Sequence, residues 1–223
     1  TGNNGALEPL PVAPDRYLPD LFLDRALNFI DENRNRPFFL FFPSQLPHAE
    51  LVPPPEGLAP YVVNGESVFP EQLWEGDFHY PEHVAQPYAT LAAMITRLDR
   101  DVGRLVDRVD ALGLGRRTLI IVTSDNGPHE AGGIRDAGIL NGAGPLDGRK
   151  FELFEGGIRV PMIARWTGKT PRGRVIDDPH ALWDIAPTLR EIAGAERRET
   201  DGVSLVEKLK GRPGQNHDHL YWE

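Results

Sequence analysis

The 223-residue sequence contains no cysteine. That excludes disulfides, zinc–thiolate sites and a cysteine nucleophile together. It leaves the compartment open, because bacterial secreted proteins often lack cysteine as well. No apolar run exceeds about five residues, far short of the roughly 20 a membrane helix needs. No basic run is longer than two residues, and 24 Lys and Arg stand against 33 Asp and Glu, for a formal charge of −9. A net acidic chain without a basic cluster is a poor nucleic-acid ligand, so no nucleic-acid partner is expected. Thr1-Gly2-Asn3-Asn4-Gly5 has neither the charged start nor the apolar centre of a signal peptide. It also lacks an initiator Met, so the chain is expected to be processed or cut from something longer.

What is present is ordinary for a globular protein: 40% apolar and 26% charged residues. The length suits one domain, or one and a half. Gly (23) and Pro (21) make about a fifth of the chain, which predicts many ordered loops, and loops carry chemistry. Residues 1–17 hold Pro9, Pro11 and Pro14 and read as an irregular lead-in. Leu18, Leu21, Phe22, Ala26, Phe29 and Ile30 recur at helical spacing up to the polar run Asp31–Arg36. Phe38–Phe42, apolar on both faces and bounded by Pro37 and Pro43, predicts a fully buried strand. A Pro-rich stretch over 43–87 reads as a long functional loop.

The strongest helical stripe runs from Tyr88 through Leu91, Ile95, Leu98, Val102 and Leu105 to Leu112, with Gly113 as its stop. Thr118–Thr123 is a second buried strand, and strand–helix–strand is the parallel crossover unit. Val160–Ala164 predicts a weaker strand, Ala181–Ala193 a helix ended by Gly194, and Ser204–Leu209 a short helix. The fold class expected is therefore α/β, with a mainly parallel sheet flanked by helices.

In open α/β sheets ligands sit beyond the carboxyl ends of strands. Two such ends are legible, one before His48 and one before Ser124-Asp125-Asn126-Gly127, so His48, Asp125 and Asn126 are expected to face one crevice. Asp125 and Asn126 offer two hard oxygen ligands, suited to calcium or magnesium. Gly127 is read as the sharp turn that aims both inward. An ordinary Asx turn accounts for the pair equally well on local sequence alone. Lys150 or Arg149 could reach an anionic substrate, or pair with Glu152 or Glu155 on the surface.

Taken in order, Phe38–Phe42 with Pro47-His48, the helix Tyr88–Asp101, Ser124–Gly127, Lys150 through Glu155-Gly156-Gly157-Ile158-Arg159-Val160-Pro161, and Trp183–Leu189 resemble the sulfatases of the alkaline-phosphatase-like superfamily. The resemblance covers nearly the whole chain. It implies that Asp125 and Asn126 are ligands of a divalent ion, usually calcium, and that His48 and Lys150 bind the sulfate group. It implies a formylglycine nucleophile, made from Cys or Ser in a C/S-x-P/A-x-R motif, and a sulfate ester substrate, either an aryl sulfate or a sulfated sugar. It implies a periplasmic or secreted location.

The nucleophile motif is not in these residues. The serines are Ser44, Ser67, Ser124 and Ser204, and none has Pro or Ala two residues on and Arg four on. By the resemblance, residues 1–223 are expected to be the central and C-terminal portion of a sulfatase catalytic domain. The nucleophile region and a small C-terminal subdomain would be missing. Such a chain is expected to be inactive alone, to bind calcium weakly, and to self-associate through an incomplete sheet. Two other readings compete: a phosphodiester or phosphonate hydrolase of the same superfamily, and a non-catalytic binding module. His129 is expected to be a loop residue beside the site, and His79 and His83 solvated loop residues. Arg159 is expected in a structural ion pair, His217-Asp218-His219 in a polar tail, and Asp184 as a carboxylate favouring a helix start.

Overall fold

The computed structural model describes residues 16–54 and 56–223. The lead-in prolines Pro9, Pro11 and Pro14 therefore lie outside the described residues. The chain divides into two compact units: residues up to Arg108 with Ala131–Arg135, and Val109–Glu130 with Asp136–Glu223.

In the first unit, helix α1 spans Leu18–Asn33, with a proline in its first turn. Its buried side is Leu21, Leu23, Ala26 and Ile30, at the helical spacing seen in the sequence. The helix ends where Asn33 turns back on the backbone: its Nδ2 donates to the Phe29 carbonyl at 2.7 Å, and its Oδ1 accepts from Arg36 Nε at 2.7 Å. Strands β1 (Val62–Val63) and β2 (Glu66–Ser67) make a hairpin. Its two-residue turn is Asn64-Gly65, both at positive φ (54° and 86°), as a type I′ turn requires. Helix α2 spans the 25 residues Pro87–Ala111. The Glu71 carboxylate caps its start, accepting from the Tyr88 and Ala89 amides at 2.9 and 2.8 Å. Arg97 pairs with Asp20, and Arg108 pairs with Asp31 at 2.5 Å. Both pairs join residues 77 positions apart, so α1 and α2 run parallel here. Arg97 also holds the buried Asp101 at 2.7 Å, which keeps that carboxylate compensated.

In the second unit, β3 (Ile120–Thr123) pairs antiparallel with β4 (Met162–Arg165). Between them lie a 3₁₀ turn at Ala137–Leu140 and the one-turn helix α3 (Glu155–Ile158). A second 3₁₀ turn, Leu182–Asp184, leads into α4 (Ile185–Ile192), and α5 is Val206–Leu209. The core of this unit is Val109, Leu114, Trp166, Val203, Leu205, Val206 and Leu209.

The mixed helix-and-sheet class stands, but two expectations inside it are corrected. Phe38–Phe42 forms no strand, and no ladder partner for it occurs among the described residues. Phe39 and Phe41 remain 66% and 75% exposed while their neighbours are half-buried. An apolar run covered on one side only does not make a sheet centre. Among the described residues no parallel pairing occurs, and both strand pairs are antiparallel. The Pro-rich stretch carries the hairpin and a further bridge, Trp74 to Val84, so it is less irregular than expected.

Candidate functional site

The turn Ser124-Asp125-Asn126-Gly127 leaves β3 directly, and the Thr123 hydroxyl ties that strand end to the Pro161 carbonyl at 3.0 Å. Asp125 is exposed. Asn126 Nδ2 donates to the Gly127 carbonyl at 2.8 Å, which leaves its Oδ1 as the acceptor. The Ser124 hydroxyl donates to the Asn126 carbonyl at 3.0 Å. Two side-chain oxygens of this kind fit a hard divalent ion, and calcium takes roughly six to eight. The pair is thus a partial donor set.

Backbone bonds then stitch this turn to the loop carrying Lys150. The Gly127 amide donates to the Gly157 carbonyl at 2.9 Å, and the Lys150 amide donates to the Pro128 carbonyl at 2.8 Å. Arg149 pairs with Glu130 at 2.5 Å and more loosely with Glu152 at 3.5 Å. Glu130 also accepts from the Ala137 amide at 3.2 Å. Lys150 is half-buried, with its ammonium 5.4 Å from the Phe151 ring centroid. Phe151 itself is 96% exposed at φ +76°. A left-handed aromatic residue with no burial to repay it stores strain of about 1–3 kcal/mol, and such strain collects at functional sites.

Gly127 does not work as the sequence suggested. It is not among the residues at positive φ. What it supplies is room, since a Cβ there would lie 1.8 Å from the Gly156 carbonyl oxygen. Gly156 and Gly157 behave likewise, with Cβ positions 2.2 Å from the Gly148 oxygen and 2.1 Å from the Glu152 oxygen. Gly127→Ala is therefore expected to push the two segments apart and cost about 1–3 kcal/mol. A melting temperature unchanged from the unsubstituted protein would contradict this packing.

His48 belongs to the first unit, is exposed, and its ring Nδ1 contacts the Ala49 carbonyl. His79 and His83 are exposed in the Pro-rich stretch, and Arg159 pairs with Glu155 at 3.4 Å.

Sequence reasoning missed a buried cluster in the second unit. Asp184 is 0% exposed. Its carboxylate accepts from the Ala181 and Val203 amides at 2.9 and 2.8 Å. His217 Nε2 lies 2.8 and 3.0 Å from its two oxygens, and His180 Nδ1 lies 3.3 Å from Oδ2. Burial alone would raise the Asp184 pKa, but the two amides and His217 outweigh it and hold the carboxyl below its ordinary range. For His180, burial comes first and the nearby Lys208 charge second, and together they hold the imidazole below its ordinary value. His217 is thus an anchored residue and not part of a loose polar tail. Asp184 does more than favour a helix start. The three side chains offer one ligand atom each within 4.8 Å of one another and could take a metal. Two imidazoles with one carboxylate suit a borderline ion of zinc type and not calcium. The hydrogen bonds already satisfy Asp184 without one. No sequence signal joins positions 180, 184, 203 and 217.

A sulfatase family model matches residues 2–195. The chain is 34% identical over 202 residues to a steryl-sulfatase of Mus musculus, covering 89% of this chain and 28% of that protein. It is 32% identical over 215 residues to arylsulfatase H of Homo sapiens, covering 93% and 33%. The chain thus spans about a third of the length of these curated relatives. In three dimensions it resembles Ps i-CgsB, solved in complex with k-i-k-neocarrahexaose, with a TM-score of 0.68 and 29% identity over 87% of this chain and 39% of that one.

Proposed function

The chain belongs to the sulfatase family, and on that premise we propose that it forms part of an enzyme hydrolysing a sulfate ester. Asp125 and Asn126 bind a divalent cation, by family resemblance calcium. Lys150 and His48 bind the sulfate group. The single observation that supports this reading is the stitching of the Asp125–Gly127 turn to the Lys150 loop through Gly127–Gly157 and Lys150–Pro128. It holds a hard-oxygen donor pair and a half-buried cation in one fixed segment, which is the preorganisation that charge stabilisation requires.

An ion held by Asp125 and Asn126 would supply positive charge to the transferring group. The chain's own residues supply the rest. Lys150 offers the transferring group a compact positive charge on a fixed segment. The Arg149–Glu130 pair and the strained Phe151 fix where the backbone of Lys150 lies. No serine of this chain fits the formylglycine pattern, so the nucleophile is supplied by residues outside these 223, and the chain by itself is inactive. A periplasmic or secreted location goes with the family resemblance, and fractionation of the source cells tests it.

The decisive assay uses the full-length protein that carries this chain, with an aryl sulfate and the matching aryl phosphate side by side, before and after chelation. Sulfate release faster than phosphate release, and lost on chelation, is the expected result. Faster phosphate release would move the reading to a phosphodiester or phosphonate hydrolase. Hydrolysis of neither would favour a non-catalytic module.

A further inference from the structure

No basic run of the sequence is longer than two residues, and the chain carries a formal charge of −9. Folding nevertheless gathers cations on the second unit. The Arg116 guanidinium lies over Gly168, where a Cβ would come within 3.2 Å of it. Lys169 follows, its ammonium 3.8 Å from the ring centroid of the buried Trp166. The next turn, Pro171-Arg172-Gly173-Arg174, packs on Gly211, where a Cβ would lie 2.7 Å from the Pro171 ring. Arg174 Nη1 donates to the Gly211 carbonyl at 2.7 Å, which pins the turn beside Lys210 and Arg212. We propose that this band of Arg116, Lys169, Arg172, Arg174, Lys210 and Arg212 is a binding face for a linear sulfated polysaccharide. It shares no residue with the segment from Asp125 to Lys150. It does not depend on the hydrolase reading, because the polymer held here need not be the ester that is cleaved.

The charge in the band is not neutralised from within. Glu207 is shared by Lys210 at 2.9 Å and Arg212 at 3.2 Å. Asp178 is taken by Lys208 at 2.5 Å. Arg116, Lys169, Arg172 and Arg174 belong to none of the ion pairs among the described residues. Neighbouring cations repel one another and raise the local potential, and a polyanion relieves both. Four of the six are arginines. A guanidinium is more weakly hydrated than an ammonium, and its planar fork meets two oxygens of one anionic group. A sulfate monoester presents three such oxygens and keeps its charge at every physiological pH. Shape separates this partner from the other polyanions. Single-stranded nucleic acid needs rings on which its bases stack, but Trp166 is buried beneath Lys169. An anionic bilayer is flat, so it would also press on Asp177, exposed just beyond Arg174. A single polymer chain follows the band and leaves Asp177 in water. Val175, 78% exposed at the same edge, makes the bilayer the main rival to be tested.

The test titrates the full-length protein at low salt with dextran sulfate, unsulfated dextran, polygalacturonate, a single-stranded oligonucleotide and phosphatidylglycerol vesicles. Dextran sulfate is expected to bind most tightly, and unsulfated dextran not at all. Added salt should weaken the binding steeply, as counterion release requires. Arg172→Glu with Arg212→Glu is expected to weaken it about tenfold or more, since two attractions become repulsions. Arg25→Glu with Arg100→Glu changes the net charge equally at exposed positions of the first unit. That pair is expected to weaken binding by less than about threefold. Arg172→Gln alone removes no ion pair of the described residues. It is expected to weaken binding about two- to threefold, and it decides the matter if the double variant does not fold. Both double variants should keep kcat/KM for nitrophenyl sulfate within about twofold. Equal losses in the two double variants, no binding of dextran sulfate, or tighter binding of vesicles or oligonucleotide would overturn the polysaccharide face. Hydrolysis of nitrophenyl sulfate alongside any of these would leave the sulfatase reading intact. Binding lost in Arg172→Glu with Arg212→Glu, in a protein that hydrolyses no ester, would keep the face and end the sulfatase reading.

Discussion

Asp184→Asn is expected to destabilise the protein by about 3–5 kcal/mol, the range for breaking a buried charge network by removing one partner. The carboxylate is fully buried and accepts from two backbone amides and two imidazoles. An asparagine in its place must turn a donor toward at least one of those donors, leaving a buried N–H unpaired. The lost bonds join three separate stretches: the start of α4, the Val203 loop and the tail at His217. The damage therefore spreads beyond one turn. Asp177→Asn, at an exposed neighbour, is the control and is expected to shift stability by less than about 0.5 kcal/mol. Thermal unfolding of both variants checks the difference, and equal melting temperatures would remove Asp184 from its role.

The same cluster sets an acid limit. The Asp184 carboxyl is lowered in the fold from its ordinary 3.8. Its contribution is complete above that value and is lost as pH falls through the folded value. His180 is lowered from its ordinary 6.5, burial being the main cause. Below 6.5 the unfolded chain takes up a proton that the fold resists, so stability falls there too. Both groups have the unfolded state binding more protons, so stability rises with pH across both windows. Unfolding followed between pH 7 and pH 4 should show a loss that begins near 6.5. Asp184→Asn should alter that slope.

Lys150→Ala in the full-length protein is expected to lower kcat/KM for a sulfate ester about 10²–10³-fold, the scale for deleting one preorganised charge donor. Thermal unfolding of the same variant separates a loss of function from a loss of fold. Lys150→Arg is not expected to restore activity, because a planar fork does not replace a compact ammonium. Asp125→Ala is expected to cause a comparable loss, and added calcium should recover part of it if the substitution weakens the ion without abolishing it. A loss below tenfold for Lys150→Ala would show that the residue does not hold the sulfate group.

Much of this was legible from local pattern. The periodicity of Leu18–Ile30 and of Tyr88–Leu112 located α1 and α2 to within a turn, because apolar residues three and four apart share one face whatever surrounds them. The Ser124–Gly127 step and the Glu155–Pro161 stretch located the candidate site. The Asn64-Gly65 hairpin was also readable, since that pair is the strongest short signal of a type I′ turn, although the surrounding prolines obscured it. Phe38–Phe42 was not legible in the same way. Five apolar residues in a row state that both faces want cover, but not which partner provides a ladder.

The sequence by itself determined the family and the long helices α1 and α2, and it named the hard-oxygen and cationic groups proposed for the site. These depend on residue type and on spacing within one segment. Tertiary structure alone decided three things. Gly127 is needed for a 1.8 Å approach of another segment rather than for a turn. Arg149 pairs with Glu130, distant in sequence, as well as with its near neighbour Glu152. Asp184 gathers His180, Val203 and His217. Each of these is a contact between residues distant along the chain. Its free energy comes from excluding water and from leaving no buried polar group unpaired, and no local pattern records which distant residue will do that.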